Sequence, residues 1–262
     1  MSTTGGSATN SNTVCVGNGN VVSTGDVTIV GDNQIISGRD TLGCAGQNRV
    51  VGDGKLVTET REVGPFAEVH VSHRFHVELQ VGGPSLVLEL DSNLLGLVET
   101  VVQGGELHVQ SKQPNTEIIP SENARILITV PSLTEVNSSG ASSATGTVSG
   151  AALTLIASGA SSIDITVDSN TSLDVEASGR GAISVAGSGD VLRADLSGAS
   201  SLKSALAHRK VDVTTSGTAS ATVHAGQSAT VSAAGTSSVE IAGAPTLRDV
   251  DAARTARVSF HN

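Results

Sequence analysis

The sequence predicts an all-β protein: a parallel β-solenoid in the C-terminal half, with a β-hairpin-rich region before it. Three observations carry this reading. A glycine flanked by small residues recurs every 18 to 20 residues between positions 134 and 260. On both sides of each glycine apolar and polar residues alternate, the period of a strand with one buried face. The core must also be built almost without aromatics. The 262 residues include three Phe, no Trp and no Tyr, so Val, Ala, Leu and Ile have to fill a narrow interior.

The glycine markers are Ser139-Gly140-Ala141-Ser142, Ser158-Gly159-Ala160-Ser161, Ser178-Gly179-Arg180-Gly181, Ser197-Gly198-Ala199-Ser200, Ser216-Gly217-Thr218-Ala219 and Ala234-Gly235-Thr236-Ser237. Six residues before the glycine stand Leu153, Leu173, Leu192, Val211 and Ala229; four after it stand Ile163, Ile183, Leu202, Ala221 and Val239. Each unit therefore holds two short strands joined at a tight corner. There the glycine takes a positive φ or admits a close backbone approach. The residue two after it is always small, as a narrow corner requires. Val167-Asp168-Ser169-Asn170-Thr171 and Ala186-Gly187-Ser188-Gly189-Asp190 read as looser linkers. One unit cannot bury its apolar face alone, whereas stacked units share a continuous core. Five or six coils spaced at about 4.8 Å give a rod of roughly 25–30 Å. A consecutive antiparallel meander gives the same alternation.

Four segments follow. Residues 1–13 are polar, lack the charged and apolar parts of a signal peptide, and read as a disordered lead. Residues 14–56 carry a shorter repeat. Gly17-Asn18-Gly19-Asn20-Val21-Val22, Gly31-Asp32-Asn33-Gln34-Ile35-Ile36 and Gly46-Gln47-Asn48-Arg49-Val50-Val51 align at spacings of 14 and 15, as three small coils or hairpins. Stacked coils would hold Cys15 and Cys44 about 10 Å apart, beyond the roughly 7 Å a disulfide allows. Two free, buried thiols are expected; a bond would mean a folded-back arrangement.

Residues 57–131 are β-rich and lead into the solenoid. Val69 and Val71, then Val77, Leu79 and Val81, read as a hairpin turning at Ser72-His73-Arg74. Leu86, Leu88 and Leu90 form a strand, and Asn93–Leu97 one turn. Two runs flanking Gly104-Gly105 form another hairpin-like pair. Residues 112–123, with Pro114 and Pro120, read as a loop, and Arg125–Val130 as a strand. Residues 132–262 are the solenoid. Its last coil loses the glycine, and Asp249, Asp251, Arg254 and Arg257 interrupt the pattern, as a capping repeat should.

The net charge of -10 argues against nucleic-acid binding, whose footprint is a basic patch. No run of eighteen apolar residues suggests a membrane span. His70, His73 and His76 are the most tempting ligand set, with His70 and His76 on one hairpin face near Glu68 and Glu78. Exposed or locally bonded histidines explain them more simply, and His108, His208, His224 and His261 read as scattered and exposed. Asp164, Asp168, Asp174, Asp190, Asp195 and Asp212 read as a solvated face rather than paired catalytic carboxylates. The Ser-Gly-Ala-Ser markers have no matching series of bases. Gly17-Asn18-Gly19 and Gly52-Asp53-Gly54 lack the Lys and the strand-to-helix setting of a phosphate loop. No catalytic residue, cofactor or metal site is therefore assigned.

Arg61–Val69, Leu90-Asp91-Ser92-Asn93-Leu94-Leu95 and Glu99–Val109, followed by the repeated Ser-Gly-Ala-Ser, resemble the GIN-domain family, an adhesin head domain of bacterial autotransporter type. The resemblance covers about residues 60 to 262. It implies a β-helical fold and an envelope or surface location, and brings no catalytic residues. The expectation is a noncatalytic surface solenoid with a structural or adhesive role. It would offer an extended face to a protein or glycan ligand and an open coil end to homo-oligomerisation. The rival readings are a carbohydrate-active β-helix enzyme, which needs carboxylates converging in a groove, and a spike or spacer of a larger assembly.

Overall fold

A computed structural model describes residues 14–17, 20–23, 35–36, 48–113 and 115–261. Contacts divide the chain into two units: residues 1–49 with 115–117, and residues 50–114 with 118–262. In the first, Val14–Gly17 runs antiparallel to Asn20–Ser23, which pairs in parallel with Ile35–Ile36. Val21 faces Ile35 and Val22 faces Ile36, the 14-residue offset of the short repeat. The expectation of free thiols rests on Cys44, which lies outside the described residues, and on Cys15, of which only the backbone is described. Asn48–Val51 and Thr116–Ile119 form a small separate sheet. The stretch 112–123 thus contains a strand where a loop was expected; a four-residue alternation between two prolines is too short to read.

The second unit is a parallel β-solenoid of two sheets. One sheet runs, strand beside strand, through 98–103, 106–111, 68–71, 135–138 and 152–157. It continues through the C-terminal halves of Ser162–Ala177, Ala182–Leu196, Ser201–Thr215 and Ser220–Ala233, and ends at Leu247–Ala252. The other runs through 56–61, 85–91, 125–130, 76–81 and 143–148. It takes the N-terminal halves of the same four long strands, then 238–242 and 257–261. Successive coils pair in parallel throughout, which removes the antiparallel meander.

Two readings change. The segments at 167–171 and 186–190 are not loops, because each long strand passes from one sheet to the other with a local register shift. Backbone groups at this corner still pair with neighbouring coils, so its polar side chains do not mark a break. The runs 68–71 and 76–81 are also not a hairpin. They pair in parallel with 135–138 and 143–146, and so form the first coil. Residues 82–131 separate that coil from the next in sequence only, and their strands pair with its other side. Their strands 85–91 and 125–130 run antiparallel, and the expected hairpin at Gly104-Gly105 joins 98–103 to 106–111. Leu95–Leu97 is a single 3-10 turn.

The interior is the one the alternation predicts. Leu153, Leu173, Leu192, Val211 and Ala229 stack on one side, and Ile163, Ile183, Leu202, Ala221 and Val239 on the other, all buried. At the far end the last coil is a strand pair despite its charges. Asp249 and Asp251 occupy outward positions opposite Thr230 and Ser232, and the Arg248 guanidinium lies 4.3 Å from the centre of the Phe260 ring.

The corner glycines form a ladder. Gly140, Gly159, Gly179, Gly198, Gly217 and Gly235 have φ between 66° and 73°. The amide after each donates to the equivalent corner carbonyl one coil earlier, as in Thr218 N to Gly198 O at 2.7 Å. A Cβ on Gly217 would lie 2.6 Å from that carbonyl oxygen. His73 occupies the first rung, with φ 68° and its carbonyl accepting from the Ala141 amide. Arg254 takes the last rung without a left-handed φ, and the Thr255 hydroxyl donates to Gly235 O.

Candidate functional site

The outer face of the first sheet places chemistry in rows. Parallel register sets Glu106, Glu68 and Glu135 side by side on three neighbouring strands, and His108, His70 and Asn137 beside them. The His70 and His108 rings pack at 5.0 Å between centres. His108 Nε2 lies 3.1 Å from Glu106 Oε2, and His70 Nε2 lies 3.8 Å from it. Glu135 and Glu68 approach His70 Nε2 to 3.6 and 3.9 Å. A recess of about 250 Å³ opens here, bordered by Ser72, Gln110 and Ser139.

This differs from the grouping expected of the histidines. His70 and His76 lie in different sheets, since they sit on opposite sides of one coil. His76 Nδ1 bonds Ser143 Oγ at 2.7 Å, and His73 bonds Ser72 at the corner. The true neighbour of His70 is His108, 38 positions away in the inserted segment. Only the parallel pairing of 68–71 with 106–109 reveals it.

His208 corrects a second expectation. It is buried rather than exposed, with Nε2 2.8 Å from Ser204 Oγ. Burial first, then the nearby His224, pushes its pKa down to about 4, against a weaker opposite pull from Asp190.

The aspartates stay apart on the surface. Asp174, Arg193 and Asp212 share one outward row, with Glu176 and Asp195 in the next. They border a shallow recess of about 220 Å³, where Arg193 stands 3.9 Å from Asp174. Asp164 and Asp168 are exposed. Asp190 is held by both arms of the Arg209 fork, at 2.8 and 3.0 Å, which lowers its pKa. A proton-donating acid of the glycosidase type needs a raised pKa. The carboxylates that depart from ordinary behaviour among the described residues, Asp53, Asp91 and Asp190, all move down.

Asp91 is the group that sequence reasoning passed over. It is fully buried, and accepts from Gly54 N at 2.8 Å, Ser121 N at 3.0 Å and the Ser121 hydroxyl. Burial alone would raise its pKa, but these donors outweigh burial and lower it. The Gly52-Asp53-Gly54 turn thus wraps an internal carboxylate. A Cβ on Gly52 would fall 2.3 Å from the Asp91 carboxyl.

A family model described as "Putative auto-transporter adhesin, head GIN domain" matches residues 65–245, from the first coil into the penultimate one. The chain belongs to the GIN-domain family. Solved structures share the fold of this GIN domain. A putative adhesin from Bacteroides fragilis NCTC 9343 is 17% identical with a TM-score of 0.72, over 81% of this chain and 100% of that one. A putative lipid binding protein from Parabacteroides distasonis ATCC 8503 is 19% identical with a TM-score of 0.59, over 81% and 100%. A putative adhesin from Parabacteroides merdae ATCC 43184 is 17% identical with a TM-score of 0.56, over 82% and 99%. No curated protein matches. No described helix of the GIN domain is long and apolar enough to cross a membrane.

Proposed function

We propose that this GIN domain is a noncatalytic module of the cell surface, with a structural and adhesive role. The observation that supports it is the outer face of the first sheet. Its rows, from Glu106 through Asp174, Asp195 and Asp212 to Asp249 and Asp251, make an open, strongly acidic surface of strand-spaced rows with recesses between them. Such a face suits a protein or glycan that meets many weak contacts at once, strengthened by avidity. The family's description as an adhesin head supports the surface location.

The test is retention of envelope proteins and surface glycans on the immobilised domain. Saturable binding that weakens with added salt, and weakens at least about tenfold when Asp174, Asp195 and Asp212 are changed to Lys, is expected. Equal retention by this variant would remove the acidic face from the reading, and no retention at all would leave a structural role.

The same reading includes self-association through the last coil. Leu247 is 69% exposed and Val250 42% exposed on its outer strand, and a strand edge of this kind invites pairing. Sedimentation velocity should show a concentration-dependent dimer that Val250→Lys disperses. A monomer at all concentrations would end the idea.

A further inference from the structure

We infer that His70, His108 and Glu106 form a binding site for one divalent transition-metal ion of the zinc type. The inference goes beyond the adhesive reading and does not depend on it. The two imidazoles and the carboxylate each offer one ligand atom, and the three atoms lie within 4.8 Å of one another. Ligands at about 2.1 Å from a tetrahedral ion stand about 3.4 Å apart. The separations here, 3.1 Å from His108 to Glu106 and 3.8 Å from His70 to Glu106, bracket that value.

A second observation points the same way. His70 Nε2 is shut off from solvent and has no hydrogen-bond partner. Yet Glu135, Glu106 and Glu68 surround it at 3.6 to 3.9 Å. Those distances are too long for hydrogen bonds, and the one to Glu106 suits two groups that share an ion. A buried polar atom left unsatisfied calls for an explanation, and a bound ion supplies one.

Nitrogen and carboxylate donors together favour a borderline divalent ion such as Zn²⁺ over Ca²⁺ or Mg²⁺, which take oxygen ligands. Glu135 approaches His70 from the opposite strand and stands outside the group, which leaves the remaining coordination to solvent. The donors project from 106–111 and 68–71, adjacent strands of one sheet, so the backbone holds them in place before any ion arrives. Bound metal would tie the inserted segment to the first coil.

The probe is Co²⁺, followed by its visible ligand-field absorption on the full chain and displaced by Zn²⁺. One ion per chain, without a thiolate charge-transfer band, is expected. His108→Ala and Glu106→Gln should each weaken it by at least about tenfold, while His261→Ala leaves it unchanged. Zn²⁺ should also raise Tm in the parent and not in His108→Ala, whose folding is checked by its unchanged circular dichroism. If that variant does not fold, His70→Asn takes its place. Absence of saturable binding up to about 1 mM, a thiolate band reporting Cys15 or Cys44, or equal affinity in Glu106→Gln would overturn the assignment.

Discussion

Gly217→Ala is expected to destabilise the domain by about 3 kcal/mol, measured by urea unfolding. Two effects add. An L-residue in the left-handed region costs about 1–2 kcal/mol, and Gly217 has φ 73°. The added methyl would also meet Gly198 O at 2.6 Å, and overpacking against a fixed backbone costs a further ~1–3 kcal/mol. Relief would require the coil to move away from its neighbour, which lengthens the 2.7 Å bond from Thr218 N to Gly198 O. His73→Gly is the complementary change. It relaxes the same backbone conformation at the first rung, so it should be neutral or stabilising by about 1 kcal/mol. Equal losses for the two variants would show that the corner tolerates side chains generally and that the ladder argument is wrong.

Acid should unfold the domain in two stages. The folded pKa of His208 is lowered from 6.5 to about 4, so the unfolded chain takes up the proton first. The stability held by neutral, buried His208 is complete above pH 6.5 and is lost as the pH falls towards 4. The loss is of order 3 kcal/mol. Asp91 then acts at lower pH. Its folded pKa lies below the usual aspartate value of 3.8, so its contribution is present above that value and disappears as the pH falls through the lowered one. His208→Leu should flatten the upper stage and keep the lower. Asp91→Asn should cost about 2–4 kcal/mol at neutral pH, because it turns a carboxylate that accepts three hydrogen bonds into an amide. It should also flatten the lower stage. Urea melts between pH 3 and pH 8 check both, and parallel curves for parent and variants would refute the assignment of these two groups.

The repeat was legible because each of its levels repeats the same physics. Leu153, Leu173 and Leu192 show the inward column, Gly159 and Gly179 the corner, and Ser161 and Ser200 the small buried position beside it. The first coil was not legible. His73 stands where later coils carry glycine and Phe75 where they carry a small residue, since no earlier corner crowds this rung. Residues 82–131 then separate the coil from its partner. The candidate site was lost for the same reason. His70 and His108 belong to different chain segments, and pairing between distant strands leaves no local periodicity. Asp91 carries no local sign of its role, and its burial depends on Gly54 and Ser121 closing over it from 37 and 30 positions away.

The corner ladder also makes reach a counted quantity. Each corner touches only the one before it, through a carbonyl that every coil presents in the same way. Excising residues 180–198, which run from just after one corner glycine through the next, brings Gly217 onto Gly179 with each contact type preserved. The rod would shorten by one step of about 4.8 Å. Length can therefore change by duplication or loss of whole coils, leaving the histidine cluster at one end and the Arg248–Phe260 cap at the other as they are. How far the last coil stands from the first is set by the number of coils, separately from what either end binds.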